Sequence, residues 1–425
     1  MEIFKIKLVI YKNKGGENIK STRTEQHLIR KQHPMWKTID QMCFMSKNLY
    51  NYANYILRQE FINNDKYIGY FDMCMLCKNS EPYKNLGSNV GQQTLNALNR
   101  NWKSFFAAIK DWRENPKKYL GRPHLPKYKN KERGRFLVAL DSNKFKIKGN
   151  KLYFSWKPLK QFNNVFYTKI SSETKIIQCR FIPQGSNYMM EIVYQIEVPE
   201  TLDKSKNIVS IDLGVDNFVT MTNNIGLKPI VIKGGVIKSI NQYYNKNLAK
   251  IKSELKLKND KFSSHKLERL TCKRSQKIKY EMHLISKRIV EYCMKNNIDT
   301  LVCGLNKEWK QNSQMSHKVN QKFIYIPFGN FVNMLSYKCE NVGIKFILTE
   351  ESYTSGTSFL DNEEPCKENY DKSRRKHRGL FVSNTGKIIN ADVNGSYQIM
   401  KKVFPNVFSN GIEGADCHPL TMKIA

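Results

Sequence analysis

The chain has 425 residues, of which 40% are hydrophobic and 12% aromatic; this composition excludes a disordered basic tail and predicts about two or three folded domains. Lys and Arg number 71 against 37 Asp and Glu, and the formal charge of +34 predicts a polyanionic partner, although a generally lysine-rich proteome would also produce it. No apolar run approaches the roughly 18 residues of a membrane-spanning helix, and the amino terminus lacks a signal-peptide layout.

The ten cysteines are scattered, and several lie inside apolar patterns where cysteine acts as a small hydrophobic residue. The single CxxC motif, Cys74–Cys77, has no second pair at the distance that a zinc site needs, so core packing is the preferred interpretation. This pattern predicts a reduced cytoplasmic protein without structural zinc.

The amino-terminal half mixes strand and helix patterns. A strand, "FKIKLVIYKN", is predicted within residues 1–20, and long helices with apolar residues at three- and four-residue spacing are predicted between 34 and 115. A Pro-, Gly- and Lys/Arg-rich link at 121–136 leads into short strands up to residue 200, with a hairpin around "KGNK". We expect these strands and the amino-terminal one to close a small β-barrel, which the helical segment interrupts.

The carboxyl-terminal half begins at residue 207 with different patterns. "NIVSIDLGVDNFVTMTNN" predicts two strands and "KPIVIKGG" a third, followed by a helical stretch with 14 Lys/Arg against 4 acids over residues 245–290. "DTLVCG" then predicts a buried strand, "PFGNFVNMLSYKCENVG" a helix closed by Gly343, and "IKFILTEE" another strand. Three sequential strands and then strand–helix–strand is the order of a ribonuclease H-like α/β core, so the predicted fold class is an α+β multidomain protein.

Two aspartates stand at positions that packing alone does not explain. Asp212 ends the apolar run "IVSID", and a lone buried carboxylate is costly unless it has a partner such as a divalent cation. Asp392 lies at the start of a predicted helix, "ADVNGSYQIMKKVF", where N-capping is the alternative role. We expect both at the same edge of one sheet, where their oxygens could hold Mg²⁺ for phosphodiester hydrolysis by two ions.

This chemistry usually needs a third carboxylate, and two adjacent acids are available. Glu350 and Glu351 end the strand "IKFILTEE", which should lie next to the centre of the sheet. Strand alternation sends neighbouring side chains to opposite faces, so only one of the two glutamates is expected to reach the metal ions.

Eight segments of the chain then point to a known family. In the carboxyl-terminal half they are "SIDLGVDNF", "NKEWKQ", "TEESYTSGTSFLDNE", "RRKHRGLF" and "INADVNGSYQIMKK". In the amino-terminal half they are "HPMWKTIDQMCFMSKNLYNYANYILRQ", "VGQQTLNALNRNWKSFFAAIKDW" and "GRPHLPKYKNK". Together these segments resemble the TnpB family of transposon-encoded RNA-guided nucleases, relatives of the compact type V CRISPR effectors. The likeness covers essentially the whole chain.

By this resemblance Asp212 and Asp392 are the first and last aspartates of a RuvC-like site. Many relatives carry a glutamate directly after the strand glycine, but Leu305 stands there in this chain, and a leucine cannot bind a metal ion. Either the site is inactive or the carboxylate comes from elsewhere. The resemblance favours Glu351, because relatives commonly have a glutamate two residues before "YTS". The alternatives for this third ligand are Glu350 and Glu308.

Many relatives also carry two CxxC pairs after the "YTS" segment, whereas Cys366 is the one cysteine in that region of this sequence. We therefore expect an insert without zinc over residues 350–385, held together by packing of Phe359, Leu360 and Leu380. Basic residues of the insert and of the long helical stretch could contact nucleic-acid phosphates, with a solvated charged surface as the alternative. The candidates are Arg374, Arg375, Lys376, Arg378, Lys273 and Arg274.

The resemblance also implies a domain plan and a set of partners. The plan is a wedge-like β-barrel (1–30 and 120–203), a helical recognition domain (31–119), a RuvC-like nuclease domain (204–349 and 386–425) and the nucleic-acid-binding insert. The implied activity is RNA-guided cleavage of double-stranded DNA beside a short recognised motif, with two Mg²⁺ ions (or Mn²⁺) and an omega-type guide RNA. The helical region and the strands up to residue 200 would hold the RNA–DNA heteroduplex.

Three alternative functions remain compatible with the sequence. A nuclease-inactive RNA-guided repressor is favoured by Leu305, whereas Asp212 and Asp392 argue against it. A compact type V CRISPR effector of the same fold would differ only in the origin of its guide. A plain transposase or a Holliday-junction resolvase would share the carboxylate chemistry but would need no RNA.

Overall fold

The computed structural model of the protein describes residues 19–201, 205–259, 263–306, 325–377, 379–409 and 417–424. The chain folds into two compact units, one over Lys20–Glu197 and the other from Val198 onward. Helices and strands occur in both units, so the fold is mixed α+β and multidomain, as predicted. No helix among the described residues is long and apolar enough to cross a membrane.

The first unit contains the predicted helices. Each long helix has one apolar face, and these faces pack into a core around Tyr50 and Trp102. Cys77 of the CxxC motif is buried in the same core. The last helix ends at Glu114, two residues before Pro116, which could not continue it. The helices are α1 (Trp36–Asn64), α2 (Tyr70–Cys77), α3 (Glu81–Leu86) and α4 (Ser88–Glu114).

The described strands of the first unit form one sheet and one hairpin. They are β1 (Ile19–Ile29), β2 (Val138–Asp141), β3 (Phe145–Lys148), β4 (Lys151–Phe154), β5 (Ile176–Gln184) and β6 (Asn187–Val198). The sheet has the order β1-β6-β5-β2, and β3 pairs with β4 in the hairpin that the sequence predicts around "KGNK". Gly149, with a φ of 58°, makes the tight turn between them.

The predicted β-barrel is only partly represented in the described residues. The strand that joins the sheet near the amino terminus is β1, whereas the predicted strand "FKIKLVIYKN" lies outside the described residues. Within the described part, β1 and β2 are the edges of the four-stranded sheet. Closure of a barrel therefore stays a prediction.

The second unit is built on a six-stranded sheet. Its described strands are β7 (Ile208–Leu213), β8 (Asn217–Asn223), β9 (Ile230–Lys233), β10 (Thr300–Gly304), β11 (Lys345–Thr349), β12 (Leu380–Val382), β13 (Ile388–Asn390) and β14 (Leu420–Thr421). Its described helices are α5 (Gly235–Asn259), α6 (His265–Lys295), α7 (Phe328–Glu340) and α8 (Ala391–Val403). The sheet order is β11-β10-β7-β8-β9-β14, and β12 and β13 form a separate hairpin.

The central strands of this sheet are buried on both faces, which explains their nearly continuous apolar runs. Strands β7, β8 and β9 are antiparallel neighbours, while β10 runs parallel to both β7 and β11. On one face, Val209 and Ile211 of β7 pack into the core with α6 and α7. On the other face, Ile208 and Val302 pack against Ile399 of α8. Side-chain alternation therefore assigns even-numbered positions of β7 to the α8 face.

Candidate active site

Asp212 and Glu351 meet at the carboxyl-terminal edge of the parallel strands. Asp212 lies on β7, two residues after Ser210, whose hydroxyl donates to the backbone oxygen of Ser396 in α8 at 2.6 Å. Glu351 follows β11 by two residues, and a Cβ placed on Gly304 at the end of β10 would lie 3.0 Å from Glu351 Oε2. Because β7, β10 and β11 are parallel, their ends meet at the edge where ligands of such sheets usually bind.

Asp392 lies in the first turn of α8, but it does not cap the helix. Asn390 has that role, because its side-chain oxygen accepts from the backbone N–H groups of Asp392 at 3.0 Å and Val393 at 3.2 Å. The Asp392 carboxylate instead accepts from Asn217 Nδ2 at 2.6 Å and from the Arg375 guanidinium at 3.1 Å. The N-cap alternative for Asp392 is therefore wrong, and its carboxylate belongs to the same edge as Asp212.

Three buried hydroxyl groups hold α8 against the sheet. Ser396 Oγ donates to the backbone oxygen of Ser210 at 3.0 Å and lies 2.9 Å from Thr222 Oγ1. A fully hydrogen-bonded polar cluster in a buried interface is rigid and fixes the register of the elements that it joins. Asp212 is two residues beyond Ser210, and Asp392 is four residues before Ser396. The cluster therefore fixes the position of one aspartate relative to the other.

Two glycines allow close approach of the backbone to the carboxylates. A Cβ on Gly395 of α8 would lie 2.9 Å from Asp212 Oδ2. A Cβ on Gly304 would lie 2.6 Å from Ile399 Cδ1, in addition to its contact with Glu351. Such distances leave no room for a larger side chain, so both positions need glycine for space and not for an unusual backbone angle.

The electrostatics of this edge disfavour negative charge. Burial raises the pKa of the Asp212 carboxyl well above its ordinary value, and the charges of Glu351 and Asp392 raise it further, while Arg375 opposes them. Burial also raises the pKa of Glu351 to about 7, against the opposing charge of Lys402. Part of the Asp212 residue is accessible to solvent, but protein surrounds its carboxyl group. The carboxyl groups of Asp212 and Glu351 therefore hold their protons more tightly than ordinary acids do, and a bound cation would favour their ionised forms.

The two adjacent glutamates have different surroundings. Glu351 Oε2 is buried and has no hydrogen-bond partner among the described residues. The backbone N–H of Glu351 donates to Asn306 Oδ1 at 2.9 Å, which fixes the chain at this point. Glu350 is exposed, and its Oε1 accepts from the Ser352 hydroxyl at 2.7 Å. Only Glu351 is therefore grouped with the aspartates; Glu308 lies outside the described residues.

The donor set fits a hard divalent cation. A buried carboxylate oxygen without a partner, beside a second acid of raised pKa, is the kind of group that such a cation stabilises. In the described ranges, however, no group of three or more His, Cys, Asp or Glu side chains is close enough together to hold a metal ion as it stands. For all three acids to bind the same ions, Asp392 would have to give up its hydrogen bond with Arg375 and move closer to Asp212 and Glu351.

Two segments of the chain match known protein families. Residues 191–310 match a family described as "Probable transposase", and residues 328–399 match one described as "Cas12f1-like, TNB domain". The TnpB-like protein ORF457 of Acidianus two-tailed virus is 22% identical over 399 residues, covering 84% of this chain and 81% of that protein. This chain is therefore similar to TnpB-like proteins over most of its length.

Two solved structures share a general likeness with this chain. The Cas12f1–sgRNA–target DNA complex has a TM-score of 0.36 and 16% identity, covering 89% of this chain and 98% of that one. A CRISPR-Cas12f ternary complex has a TM-score of 0.35 and 14% identity, covering 86% of this chain and 80% of that one. At these TM-scores the two structures give no information about the candidate site.

The two segments that match family models contain different acids of the candidate site. Asp212 lies in the transposase-like segment, whereas Glu351 and Asp392 lie in the TNB-like segment. Leu305 packs against the core, and its backbone N–H donates to the Thr349 oxygen at 2.9 Å. Glu351, two residues beyond the neighbouring strand β11, thus has a carboxylate oxygen close to Gly304 at the end of β10. Its role as the replacement for the carboxylate missing at position 305 stays a prediction.

The insert after Glu351 has its own small core. Phe359 stacks on Tyr397 of α8 with ring centroids 4.2 Å apart, and Leu360 packs at the edge of this cluster. The prediction for Leu380 was wrong, because Leu380 is only half-buried and its neighbour Phe381 is fully buried in the cluster. The alternation of the short strand β12 explains this difference, since it turns Phe381 inward.

The basic run of the insert is engaged in internal contacts where it is described. Arg374 donates to Glu363 at 2.6 Å and lies near Asp371, so its guanidinium holds the insert together. Arg375 is paired with Asp392, and Lys376 is exposed. Contact of these side chains with nucleic acid stays a prediction. Arg378, the fourth candidate of this run, lies outside the described residues.

The two basic candidates on α6 differ in the same way. Lys273 is exposed. Arg274 donates to Asn241 Oδ1 at 2.7 Å and to the Tyr325 oxygen at 2.5 Å, and its guanidinium lies over the rings of Tyr244 and Tyr325. Arg274 thus has a structural role, joining α6 to α5 and to the segment before α7. Binding of phosphate by Lys273 stays a prediction.

Several residues that shape the site were missed by the sequence analysis. Asn217 bonds Asp392 across 175 residues, and Asn306 bonds Glu351 across 45. Ser396 and Gly395 follow Asp392 on one turn of α8. The signal for Asn217 was available, because it lies in the same "IDLGVDN" segment as Asp212. Nothing local marks Asn306, whose partner is brought near by the pairing of β10 with β11.

Proposed function

We propose that this protein is an RNA-guided DNA endonuclease in which Asp212, Glu351 and Asp392 hold two divalent cations at a RuvC-like site. The observation that carries the proposal is the buried Glu351 oxygen, which has no partner in the described part of the chain, beside Asp212, whose pKa is raised by burial and by the charges of Glu351 and Asp392. The strand order β9-β8-β7-β10-β11, antiparallel and then parallel, supports a ribonuclease H-like core. Similarity to a TnpB-like protein and to the Cas12f1-like TNB domain supports guidance by RNA.

Bound cations would supply the positive charge that stabilises the attacking water and the leaving oxygen during phosphodiester hydrolysis. The chain itself positions the ligand oxygens. The hydroxyl cluster around Ser396 holds the two aspartates in register, and Asn306 fixes the backbone that presents Glu351. Glu351, whose pKa is about 7, would bind a cation in its deprotonated form. Arg375, which donates to Asp392 in this structure, would pair with a substrate phosphate if a cation took its place at Asp392.

The partners follow from the charge and from the family. A formal charge of +34 favours polyanions, and each phosphate that a Lys or Arg neutralises releases counterions. Base pairing with an omega-type guide RNA would read the target sequence, while the protein would read duplex shape and a short adjacent motif. Mg²⁺ or Mn²⁺ are the metals of this proposal. The proposal also includes an insert that folds without zinc, because Phe359 of the insert packs into a hydrophobic cluster.

The test is a comparison of wild-type protein with D212A, each purified with its bound RNA. Sequencing that RNA identifies the guide, and a plasmid carrying the complementary target beside randomised flanks measures cleavage. The proposal predicts that wild-type protein cuts the plasmid with Mg²⁺, and that D212A binds the same RNA and target without cutting. Loss of binding in D212A, or absence of bound RNA in wild-type protein, would contradict it.

A second candidate function is a nuclease-inactive RNA-guided DNA-binding protein. The ion pair between Arg375 and Asp392 favours it, because that contact keeps one acid engaged without a metal. The variant R375Q separates the two candidates. If Arg375 pairs with Asp392 only until metal binds, the site is an active nuclease site. In that case R375Q still binds Mn²⁺, and the wild-type protein cleaves its target. If wild-type protein and R375Q both bind target DNA but neither cleaves with Mg²⁺ or Mn²⁺, the binding-only function is correct.

A further inference from the structure

A segment that looks like a simple connector is fastened along helix α1. Four polar side chains on one face of α1 recur at three- and four-residue spacing, and each donates to a backbone carbonyl of this segment. The bonds are Lys47 Nζ to Lys131 O at 2.6 Å, Asn51 Nδ2 to Lys129 O at 2.9 Å, Asn54 Nδ2 to Pro126 O at 3.0 Å and Arg58 to Pro126 O at 3.1 Å. We name residues 122–133 the basic ribbon.

Two of the four side chains that fasten the basic ribbon are themselves buried. Lys47 and Asn54 are 2% and 0% exposed, and Asn54 also accepts from the Trp102 indole at 2.9 Å. Asn51 accepts in return from the backbone N–H of Lys129 at 2.8 Å. Fixing a backbone costs roughly 1–2 kcal/mol per residue, and a connector between two elements does not require it. The ribbon is therefore built to hold one backbone conformation.

The charges of the basic ribbon face outward. Residues 121–136 contain six Lys/Arg and one acid, Glu132. Lys127, Lys131 and Arg133 are exposed, and none of them forms an ion pair with a described residue. Arg135 differs, because it is paired with Asp40 at 2.9 Å and so belongs to the fold. A fixed backbone with unpaired cations along its exposed side suits a partner with repeated negative charges.

Aromatic groups beside the basic ribbon indicate what kind of polyanion fits. Tyr128 is 45% exposed, and the Arg58 guanidinium lies 5.1 Å from its ring centroid. A surface cavity next to them is lined by Arg58, His124, Leu125 and Lys127. Exposed aromatic faces interleaved with cations are typical of surfaces that bind single-stranded nucleic acid, where bases stack and phosphates pair with Lys and Arg.

We propose that the basic ribbon is a binding surface for the sugar–phosphate backbone of single-stranded RNA, and that it holds an unpaired segment of the guide. The inference rests on the proposed function for the identity of that RNA. Lys127, Lys131 and Arg133 pair with phosphates, and Tyr128 provides a stacking face for a base. Because α1 fixes the ribbon before RNA arrives, binding does not have to order this backbone.

The experiment measures binding of full-length protein, stripped of RNA, to a fluorescent 30-nucleotide single-stranded RNA and to a 30-base-pair DNA duplex. The variants are K127Q/K131Q/R133Q and a control, K103Q/K110Q/R113Q, which removes three exposed charges from α4 of the same unit. Each phosphate contact contributes about 0.7 to the slope of log affinity against log salt for a single strand. The ribbon variant should therefore lose about 2 from that slope, and roughly tenfold or more in RNA affinity at 150 mM salt.

The control variant should keep the wild-type slope for RNA, and the ribbon variant should change duplex binding less than RNA binding. Equal slopes for the ribbon and control variants with RNA would overturn the proposal, and so would a loss confined to the DNA duplex. N51A removes one fastening bond without changing charge; it should increase amide hydrogen exchange within residues 122–133 and weaken RNA binding by a few fold. If wild-type protein binds RNA but carries no guide from cells, the proposed function fails while the ribbon still stands.

Discussion

Asp40 on α1 is partly buried, and the carboxyl groups of Asp212 and Glu351 at the edge of the second sheet are more deeply buried; their charges are compensated differently. Asp40 accepts from two nitrogens of Arg135 at 2.9 Å each and also from the Tyr188 hydroxyl. Burial alone would raise the pKa of Asp40, but the hydrogen bonds from Arg135 and Tyr188 outweigh it and lower that pKa. The negative charge of Asp40 is thus compensated by hydrogen bonds from other side chains of the same unit.

Asp212 and Glu351 lack such compensation. Both have raised pKa values, chiefly because they are buried, and one Glu351 oxygen has no partner in the described part of the chain. The chain retains carboxylates here at the expense of its own stability, whereas Asp40 contributes to stability. The contrast teaches that a buried acid without an internal partner indicates a ligand from outside, and that a fully paired one indicates structure.

The largest expected effect concerns the choice between the adjacent glutamates. E351Q removes a metal ligand and should lower cleavage of guide-matched DNA by about a thousandfold or more, since such a charge contributes several kcal/mol to the transition state. E350Q, the matched control, changes an exposed side chain and should cleave like wild-type protein. Equal cleavage by both variants would show that Glu351 is not part of the site.

The next effect is on stability in the absence of metal. The pKa of Glu351 is about 7 in the folded protein against an ordinary value of 4.5, so the folded form binds the proton more tightly and stability falls as pH rises from about 4.5 to 7. E351Q removes this penalty. In EDTA at pH 8, we expect it to be more stable than wild-type protein by up to about 3 kcal/mol, and equally stable near pH 4.5.

Chemical denaturation at several pH values checks this prediction, with E350Q again as the control. E350Q should follow the wild-type profile, because the side chain that it changes is exposed. An E351Q variant that is less stable than wild-type protein at pH 8 would show that the carboxylate is compensated by contacts of the fold, as Asp40 is.

Substitution of Asp40 should have a smaller effect on stability than E351Q, and it should lower stability where E351Q raises it. D40N leaves the Arg135 guanidinium without its carboxylate, and we expect a loss of about 2 kcal/mol in the stability of the first unit, since the pair is partly exposed. The pKa of Asp40 is lowered on folding, so the stabilising effect is present above its ordinary value and is lost as pH falls through its folded value. Denaturation of D40N at pH 7 and at pH 3 measures both; an unchanged difference between the two would contradict the linkage.

Local patterns were sufficient for much of this molecule. Apolar runs and turn residues located β7, β10 and the helix that begins near Asp392. The ends of the runs indicated Asp212 and the pair Glu350 and Glu351, and only the family resemblance favoured Glu351 within that pair. The role of Asn390 as the cap of α8 was missed, because Asp392 is an equally good capping residue by type. Side-chain type alone does not decide which of two neighbours turns toward the helix N–H groups.

Long-range contacts account for most of what the sequence did not reveal. Arg375 pairs with Asp392 through the path of the insert, and the ribbon carbonyls meet α1 about 70 to 85 residues away along the chain. A polar residue on a helix face looks solvated in the sequence whether or not a distant carbonyl comes to it. The sequence therefore did not predict that Asn51 and Asn54 hold the basic ribbon; their role is visible only in the folded structure.

The most direct test of the central claim is the stabilisation of the second unit by Mn²⁺ at pH 7.5, measured by thermal denaturation of RNA-free protein. Ligand binding to the folded state raises its stability in proportion to RT ln(1 + [L]/Kd). Wild-type protein and E350Q should gain stability with added Mn²⁺ in the same saturable way, while D212N and E351Q should gain little or none. Equal gains in all four proteins, or no gain in wild-type protein, would contradict the assignment of Asp212 and Glu351 as metal ligands.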